Sequence, residues 1–506
     1  MFDGMHEVLT TQEMYEADRL TIEGGVPGID LMEKAGQALA RAVLDHWPQA
    51  YRIMALCGPG NNGGDGYVVG RLLREQGLIV QMINVLPAVG LTGDAAIAAE
   101  RFDGAIEALS DDVSIAKLVA DLENCDVVVD AIFGAGLARN LGGVVAELVG
   151  LVNACNKQVL SVDIPSGVDG DTGAICGCAV GADVTVTFFR HKPGHLLMPG
   201  RTNCGWVQVA DIGIADQVLE TIKPQCFVNG PELWQHKLPV ARADQHKYDR
   251  GHVISVSGGH GKTGAARLAA RGALRAGAGL VSVASPPDAL AENAAQLTAI
   301  MIKAFEGVTG LAELLGDTRL NSVVIGPGCG VDPQTRDSVL AVLSSGANTV
   351  IDADGISSFA GEDEIANELF SAIKSRSDRD VVMTPHNGEF KRLFSVKGHS
   401  KTELARKSAL LSGATIVYKG ADTVIASPQS DAVINVNAPA SLATAGSGDV
   451  LAGMIAGLMA QGMSGFDAAC TGVWIHGEAA RLFGPGLIAE DIAETMPRVW
   501  SELVPD

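Results

Sequence analysis

Two stretches of this chain carry residue types at spacings that do chemistry on anions. ATAGSGDVLAG places Gly446, Gly448 and Asp449 where an apolar helical pattern begins. Small residues there let backbone N–H groups approach a phosphoryl group in transfer. Asp449, in the first helical turn, is placed to take a proton from an attacking hydroxyl. The plainer reading is that Asp449 only complements the helix dipole. CGPGNNGGDGYVVGRLL, from Cys57 to Leu73, follows an apolar run and opens a second helix. A glycine-rich turn at a helix N-terminus favours phosphates. The spacing departs from G-x-G-x-x-G, because Asn61, Asn62 and Asp65 are inserted, so an ordinary dinucleotide domain is disfavoured.

Two more runs end in polar residues. VVVDAIFGAGLARN brings Asp130 to the end of a strand, and SVDIPSGVDGDTG does the same for Asp163 and Ser166. Ligands of open parallel sheets bind outside the carboxyl ends of strands. Taken singly, these residues read equally well as Asx-turns and helix caps.

The elements that must position them are legible as alternation. YRIMALCG, IVQMINVL, DVVVDAIFG, QVLSVDIPSG and VTVTFF are strand candidates in the first half. HVISVSGG, LVSVASP, SVVIGPG, NTVIDADG, VVMTPH and TIVYKG follow in the second. Helical patterns separate them, which means parallel sheets covered on both faces. At 506 residues the chain exceeds one core, and the polar, proline-bearing segment near 216–230 reads as a joint. The expected boundaries are 1–218, a linker at 219–230, and 231–506.

Bulk charge narrows the partners. A net charge of −22 disfavours nonspecific binding to nucleic acid or anionic lipid. VLAGMIAGLMA is too short to span a bilayer, and the N-terminus lacks the basic-then-apolar pattern of a signal peptide. The 9 cysteines show no paired zinc spacing and read as reduced thiols. A cytoplasmic protein is expected.

GPGNNGGDG, DAIFGAGL and DIPSGVDGDTG, in this order, resemble the epimerase domain of the NAD(P)H-hydrate repair enzymes over roughly residues 10–215. The resemblance implies a Rossmann-like three-layer sandwich. It implies that Asn61, Asn62, Gly63, Gly64 and Asp65, with the loop Gly134, Ala135, Gly136, Leu137, Ala138, Arg139 and Asn140, hold the hydrated dinucleotide. It also implies K⁺ on Asn62, Asp130 and Ser166, whose hard oxygens suit such a cation. Asp163 would contact the nicotinamide and move protons. His191 and His195 in RHKPGHLL are read as a structural loop.

VSGGHGKTGAARLAARGALRAGAGLVSVASP, VIGPGCG, VIDADG, TPHNGEF, YKGADTVIA and the stretch around Asp449 occur in the order of the ribokinase-like α/β dehydratase domain of that family, over about residues 235–500. This implies Ala265, Gly328, His386 and Asp449 at the hydrated dinucleotide. Lys419, Gly420, Ala421, Asp422, Thr423 and Gly448 would lie at the phosphate donor. Lys419 is a compact cation for phosphates, and the turn after it offers backbone donors. A lone His386 would otherwise be a satisfied loop residue. Three departures stand out. Asn387 replaces a usual Pro and is expected to loosen a turn, Ala445 adds a methyl beside the anion hole, and Cys329 replaces Leu.

The chemistry implied is metabolite repair. One domain epimerises the R and S hydrates of NADH and NADPH. The other phosphorylates the ring hydroxyl of the S hydrate from ADP, with Mg²⁺ on the donor phosphates, and expels phosphate to leave NAD(P)H and AMP. ATP is the alternative donor. A homo-oligomer, with a tetramer as the expected form, is also implied. Two readings compete: a small-molecule hydroxyl kinase of the ribokinase-like class, and a noncatalytic nucleotide-binding scaffold. A kinase has no need of the first half, and a scaffold has no need of Asn62, Asp130, Asp163 and Ser166.

Overall fold

The computed structural model describes residues 6–504 apart from 88, 110–111, 138, 240–241, 243, 377–378 and 430. Two compact units result, Glu7–Gln225 and Cys226 onward together with His6.

In the first unit seven strands form one parallel sheet: β1 (Arg52–Cys57), β2 (Ile79–Asn84), β3 (Ile106–Ala108), β4 (Val127–Ala131), β5 (Gln158–Val162), β6 (Val184–Phe188) and β7 (Trp206–Ala210). Their order is β3-β2-β1-β4-β5-β6-β7. The strands are apolar on both faces, yet the period of two still sorts them. Ile53, Ala55 and Cys57 of β1 join one core, while Met54 and Leu56 join the other. Helices Thr11–Glu23, Gly28–His46 and Asn61–Glu75 contribute to the first core, and Gly143–Ala154 to the second. This is the three-layer α/β arrangement that the motifs imply. The chain reverses direction across the sheet between β1 and β4, which puts the loops after both strands at the switch point.

The second unit holds a ten-stranded sheet. Its strands are β8 (Cys226–Val228), β9 (His252–Val256), β10 (Leu280–Ser285), β11 (Met301–Ala304), β12 (Ser322–Ile325), β13 (Asn348–Ile351), β14 (Val381–Met383), β15 (Thr415–Tyr418), β16 (Val424–Ala426) and β17 (Ala432–Ile434). The order is β11-β10-β9-β12-β13-β14-β15-β16-β17-β8. The sheet is parallel from β11 to β15 and antiparallel through β16 and β17. Strand β8 pairs with β17, so part of the stretch read as a linker is an edge strand. The Val228 N–H donates to the His6 carbonyl at 2.7 Å, which explains why His6 falls with this unit.

The helix Ser447–Ala460 is buried from Val450 to its end. It crosses Gly264–Arg275 closely: a Cβ on Gly453 would lie 1.9 Å from the Ala269 carbonyl oxygen. The apolar run that is too short for a membrane is therefore a core helix, and its packing fixes where its N-terminus points. No described helix is long and apolar enough to cross a membrane.

Candidate functional site

In the first unit a cavity of about 530 Å³ opens over the switch point. Asn61, Asn62 and Asp65 line it from one side, and Gly134 to Leu137 with Arg139 from the other; Asp163 lies between them. Ala138 lies outside the described residues, and Asn140 is exposed beyond the lining. Gly63 and Gly64 do not line the cavity. A Cβ on Gly63 would sit 1.9 Å from the Gly58 carbonyl oxygen, and one on Gly64 2.6 Å from Met32, so both are packing glycines. Gly60, with nothing near its missing side chain, is the bare backbone that faces the cavity.

Asp163 has φ 63°, a left-handed conformation that few non-glycine residues adopt. Its carbonyl is held by His195 Nε2 at 2.8 Å. His195 Nδ1 accepts from the Lys192 N–H at 2.9 Å, so Nε2 carries the proton and donates. The carboxylate Oδ1 accepts from Lys192 Nζ at 2.7 Å and Thr187 Oγ1 at 2.9 Å; Oδ2 accepts from the Ala135 N–H at 3.2 Å. Burial alone would raise this carboxyl. The Lys192 ammonium and His195 override it and hold Asp163 at about 2. Burial pushes His195 down to about 4 and His191 to about 3, so both rings are neutral. Lys192 is buried and also donates to Thr187 Oγ1 at 2.8 Å and the Phe188 carbonyl at 3.4 Å. RHKPGHLL is thus more than a structural loop: it supplies the counter-charge of Asp163.

Asp130 and Ser166 are both buried and do not line the cavity. Asp130 accepts from Ser161 Oγ at 2.9 Å, from the Ser166 N–H at 2.8 Å and from Ser166 Oγ at 2.5 Å. Ser166 Oγ is 3.2 Å from the Phe133 carbonyl oxygen. Asn62 Nδ2 is buried without a partner, and Asn62 Oδ1 would lie 3.0 Å from a Cβ on Gly134. This set is all hard oxygen, and among the described residues no cationic side chain pairs with Asp130. Among the described residues no cluster of His, Cys, Asp and Glu could hold a metal.

In the second unit Gly446, at φ 84°, caps the helix whose third residue is Asp449. Lys419 Nζ would be 3.3 Å from a Cβ on Gly448. The lysine is 2.7 Å from Asp352 Oδ1, which also accepts from Thr384 Oγ1 at 2.7 Å. Lys419, Gly448 and Asp449 therefore converge as the motifs imply. Burial and the Asp352 charge push Asp449 up to about 6. Between Asp352 and Asp354, Ala353 takes φ 49° and ψ −118°, a strained conformation. Gly328, at φ 71°, lies beside Ala265, since its Cβ would be 3.8 Å from that side chain.

The rest of the donor segment is partly turned inward. Thr423 Oγ1 donates to the Gly420 carbonyl at 3.0 Å, and Ala421 is exposed. Asp422 accepts from Lys401 Nζ at 2.6 Å, and that ammonium lies 4.6 Å from the centre of the Tyr418 ring. Lys401 went unnoticed in the sequence, because it is 18 residues before Lys419 and in no glycine-rich motif. His386 caps the helix Asn387–Leu393, with Nδ1 accepting from the Gly388 N–H at 2.9 Å. Asn387 does not loosen this turn as expected. Its side chain accepts from the Tyr418 hydroxyl at 2.7 Å and ties the turn to β15.

Comparison with known proteins finds relatives of both units. A family described as NAD(P)H-hydrate dehydratase matches residues 253–498, and one described as YjeF-related protein N-terminus matches residues 28–194. The bifunctional NAD(P)H-hydrate repair enzyme Nnr of Moorella thermoacetica is 34% identical, over 98% of this chain and 97% of its own. This chain belongs to the bifunctional NAD(P)H-hydrate repair enzyme family. The member from Escherichia coli K12 is 32% identical, over 95% of this chain and 91% of its own. Among solved structures, the ADP/ATP-dependent NAD(P)H-hydrate dehydratase from Bacillus subtilis, co-crystallized with ATP/Mg²⁺, is 26% identical with a TM-score of 0.47. That match covers 55% of this chain and 98% of that one.

Proposed function

We propose that the first unit interconverts the R and S hydrates of NADH and NADPH, and that the second dehydrates the S hydrate with ADP. The observation that carries the second half is Asp449 at a glycine-lined helix start, beside Lys419. The ring hydroxyl is a poor leaving group. Asp449 takes its proton as the oxygen attacks the donor's terminal phosphorus. Lys419 and the N–H groups of the helix start neutralise the charge on the transferring oxygens. The adjacent ring nitrogen then expels phosphate, which leaves NAD(P)H, AMP and phosphate. A carboxyl raised to about 6 is a stronger base than an ordinary one and is still ionised at pH 7. Mg²⁺ would screen the donor phosphates, and Asp352 offers it the oxygen that Lys419 and Thr384 leave free.

In the first unit Asp163 is the proton-moving group, with Oδ2 toward the loop at Gly134 and Ala135. K⁺ held by Asn62, Asp130 and Ser166 would supply the positive charge that buried Asp130 lacks. Gly134 to Leu137 and Arg139, with Asn61 and Asp65, would hold the dinucleotide; Ala265, Gly328 and His386 would do so in the second unit. The absence of a membrane-crossing helix among the described residues and the acidic charge support a cytoplasmic setting.

The test is recovery of absorbance in the reduced-nicotinamide band when pure protein meets hydrated NADH with ADP, and separately with ATP. Recovery with ADP is expected, and no recovery with either nucleotide overturns the reading.

A further inference from the structure

The cavity geometry points to Asp18 as a second catalytic residue of epimer exchange, the acid that lends a proton to the ring nitrogen while Asp163 takes the hydroxyl proton. This rests on the first cavity being the site of that exchange.

Asp18 and Tyr15 lie one turn apart on the helix Thr11–Glu23 and line the same cavity as Asp163. The helix start is tied to the loops that flank Asp163. The Thr11 N–H donates to Asp171 Oδ1 at 2.7 Å, and Thr11 Oγ1 donates to the Ala135 carbonyl at 3.3 Å. Tyr15 closes over Gly136, where a Cβ would lie 2.2 Å from its hydroxyl oxygen. Asp18 is half-buried and forms no hydrogen bond or ion pair with any described residue. The neighbouring cation is already committed, because the donors of Lys192 go to Asp163, Thr187 and Phe188. An unpartnered carboxyl aimed into a cavity is free to meet a ligand.

The charged and titratable groups around Asp18 are Asp163, Lys192, Asp65 and Tyr15. Burial and the Asp163 charge push Asp18 up to about 6 against the pull of Lys192. Asp163 stands at about 2. Two carboxyls of one site pushed apart in this way divide acid and base roles. Asp65 is a poorer acid, because burial raises its carboxyl well above the usual range.

The step balances. The substrate carbon bears a hydroxyl and the ring nitrogen. Asp163 takes the hydroxyl proton, the oxygen's electron pair forms a carbonyl, and the carbon–nitrogen bond breaks with its pair going to nitrogen. Asp18 gives that nitrogen a proton. The aldehyde turns and presents its other face. Nitrogen attacks it, its proton returns to Asp18, and the oxygen recovers its proton from Asp163. Both carboxyls end as they began, and nothing is oxidised or reduced.

The test uses the full-length protein and separately resolved epimers of hydrated NADH, with exchange followed by NMR without nucleotide. Wild-type turnover falls as pH rises above about 6, because the acid loses its proton. Asp18→Asn is expected to lower turnover at least ~100-fold, keep KM within about threefold, and abolish that falling limb. Asp18→Ser is the second variant, with the same expectation, should the first not fold. Turnover within about threefold of wild type, an unchanged limb, or a loss confined to KM overturns the proposal. Asp163→Asn separates the two ideas: if it also exchanges epimers at the wild-type rate, the cavity is not the epimerase site at all.

Discussion

Both units set a carboxylate at the carboxyl ends of a parallel sheet, near a residue forced to positive φ, and within reach of a lysine. They treat that carboxylate in opposite ways. In the first unit Lys192 pairs with Asp163 itself, and the carboxyl is held at about 2. In the second, Lys419 pairs with the neighbour, Asp352, and Asp449 rises to about 6. The partner chosen by the lysine decides the chemistry. A directly paired carboxylate is a fixed, weakly basic acceptor. One that faces a second carboxylate is a stronger base, as the proposed proton transfer from the ring hydroxyl requires. Strain follows the same division. Asp163 is itself the strained residue, whereas Ala353 carries the strain for the acidic pair Asp352 and Asp354.

The contrast breaks most sharply at Asp449. Asp449→Ala should lower ADP-dependent recovery of NADH by roughly 10³-fold or more, while epimer exchange stays at the wild-type rate. Absorbance recovery and NMR exchange on one preparation check it. Loss of both activities with the fold intact would show that activities and units are wrongly matched.

Lys192→Met tests the direct pair. It leaves Asp163 mostly buried without its cation, a change that destabilises by about 3–5 kcal/mol near pH 7. The sign against pH follows from the depressed carboxyl. Its folded value of about 2 lies below the ordinary 3.8. The ionised carboxyl's net contribution, about 2 kcal/mol after the opposing cost of burial, is therefore present above pH ~4 and fades as pH falls toward 2. Urea unfolding of both proteins at pH 7 and pH 3 should show the gap narrowing in acid. A gap that widens there contradicts the pairing.

Much of this was legible in sequence, Lys419 included, but Lys192 and Lys401 were not. Eleven apolar runs named strands correctly, because buried parallel strands have no polar face to confuse the reading. Six strands were missed: β3, β8, β16 and β17 have three residues each and carry little period, and the edge strands β7 and β11 are too exposed to read as apolar runs. Asp163, Ser166, Gly446 and Asp449 stood out because each follows or opens an element. Lys192 meets Asp163 only because β5 and β6 are neighbours, across 29 residues of chain. Its one available signal was its position just past β6, at the same sheet end as Asp163. Gly63 and Gly64 show the opposite limit, since the packing that demands glycine at both positions is invisible in sequence.

The indirect pairing in the second unit predicts a pH limb. Dehydration should fall as pH drops through about 6, because Asp449 must be ionised to accept the proton. Asp352→Asn removes the like charge and releases Lys419, so the limb should move down by on the order of one pH unit. A pH–rate profile of absorbance recovery at saturating ADP reads this directly. A limb that stays in place would mean that Asp352 does not set the base.

The smallest effect lies at Asn387, where a proline is expected from the family pattern. Two terms oppose each other in Asn387→Pro. The change removes the Tyr418 hydroxyl's acceptor at 2.7 Å, worth about 1 kcal/mol. It also places proline at the first position of the helix, where a fixed φ and the missing N–H are tolerated, a gain of about 0.4–1 kcal/mol. His386, at φ −78° and ψ 171°, is already extended, as a residue before proline prefers to be. The terms nearly cancel, so stability should move by less than ~0.5 kcal/mol and dehydration by less than about twofold. A loss of 2 kcal/mol or more in chemical unfolding would mean that the phenol depends on this one acceptor. The tie between the His386 turn and β15 would then be a structural requirement of this site that a proline cannot supply.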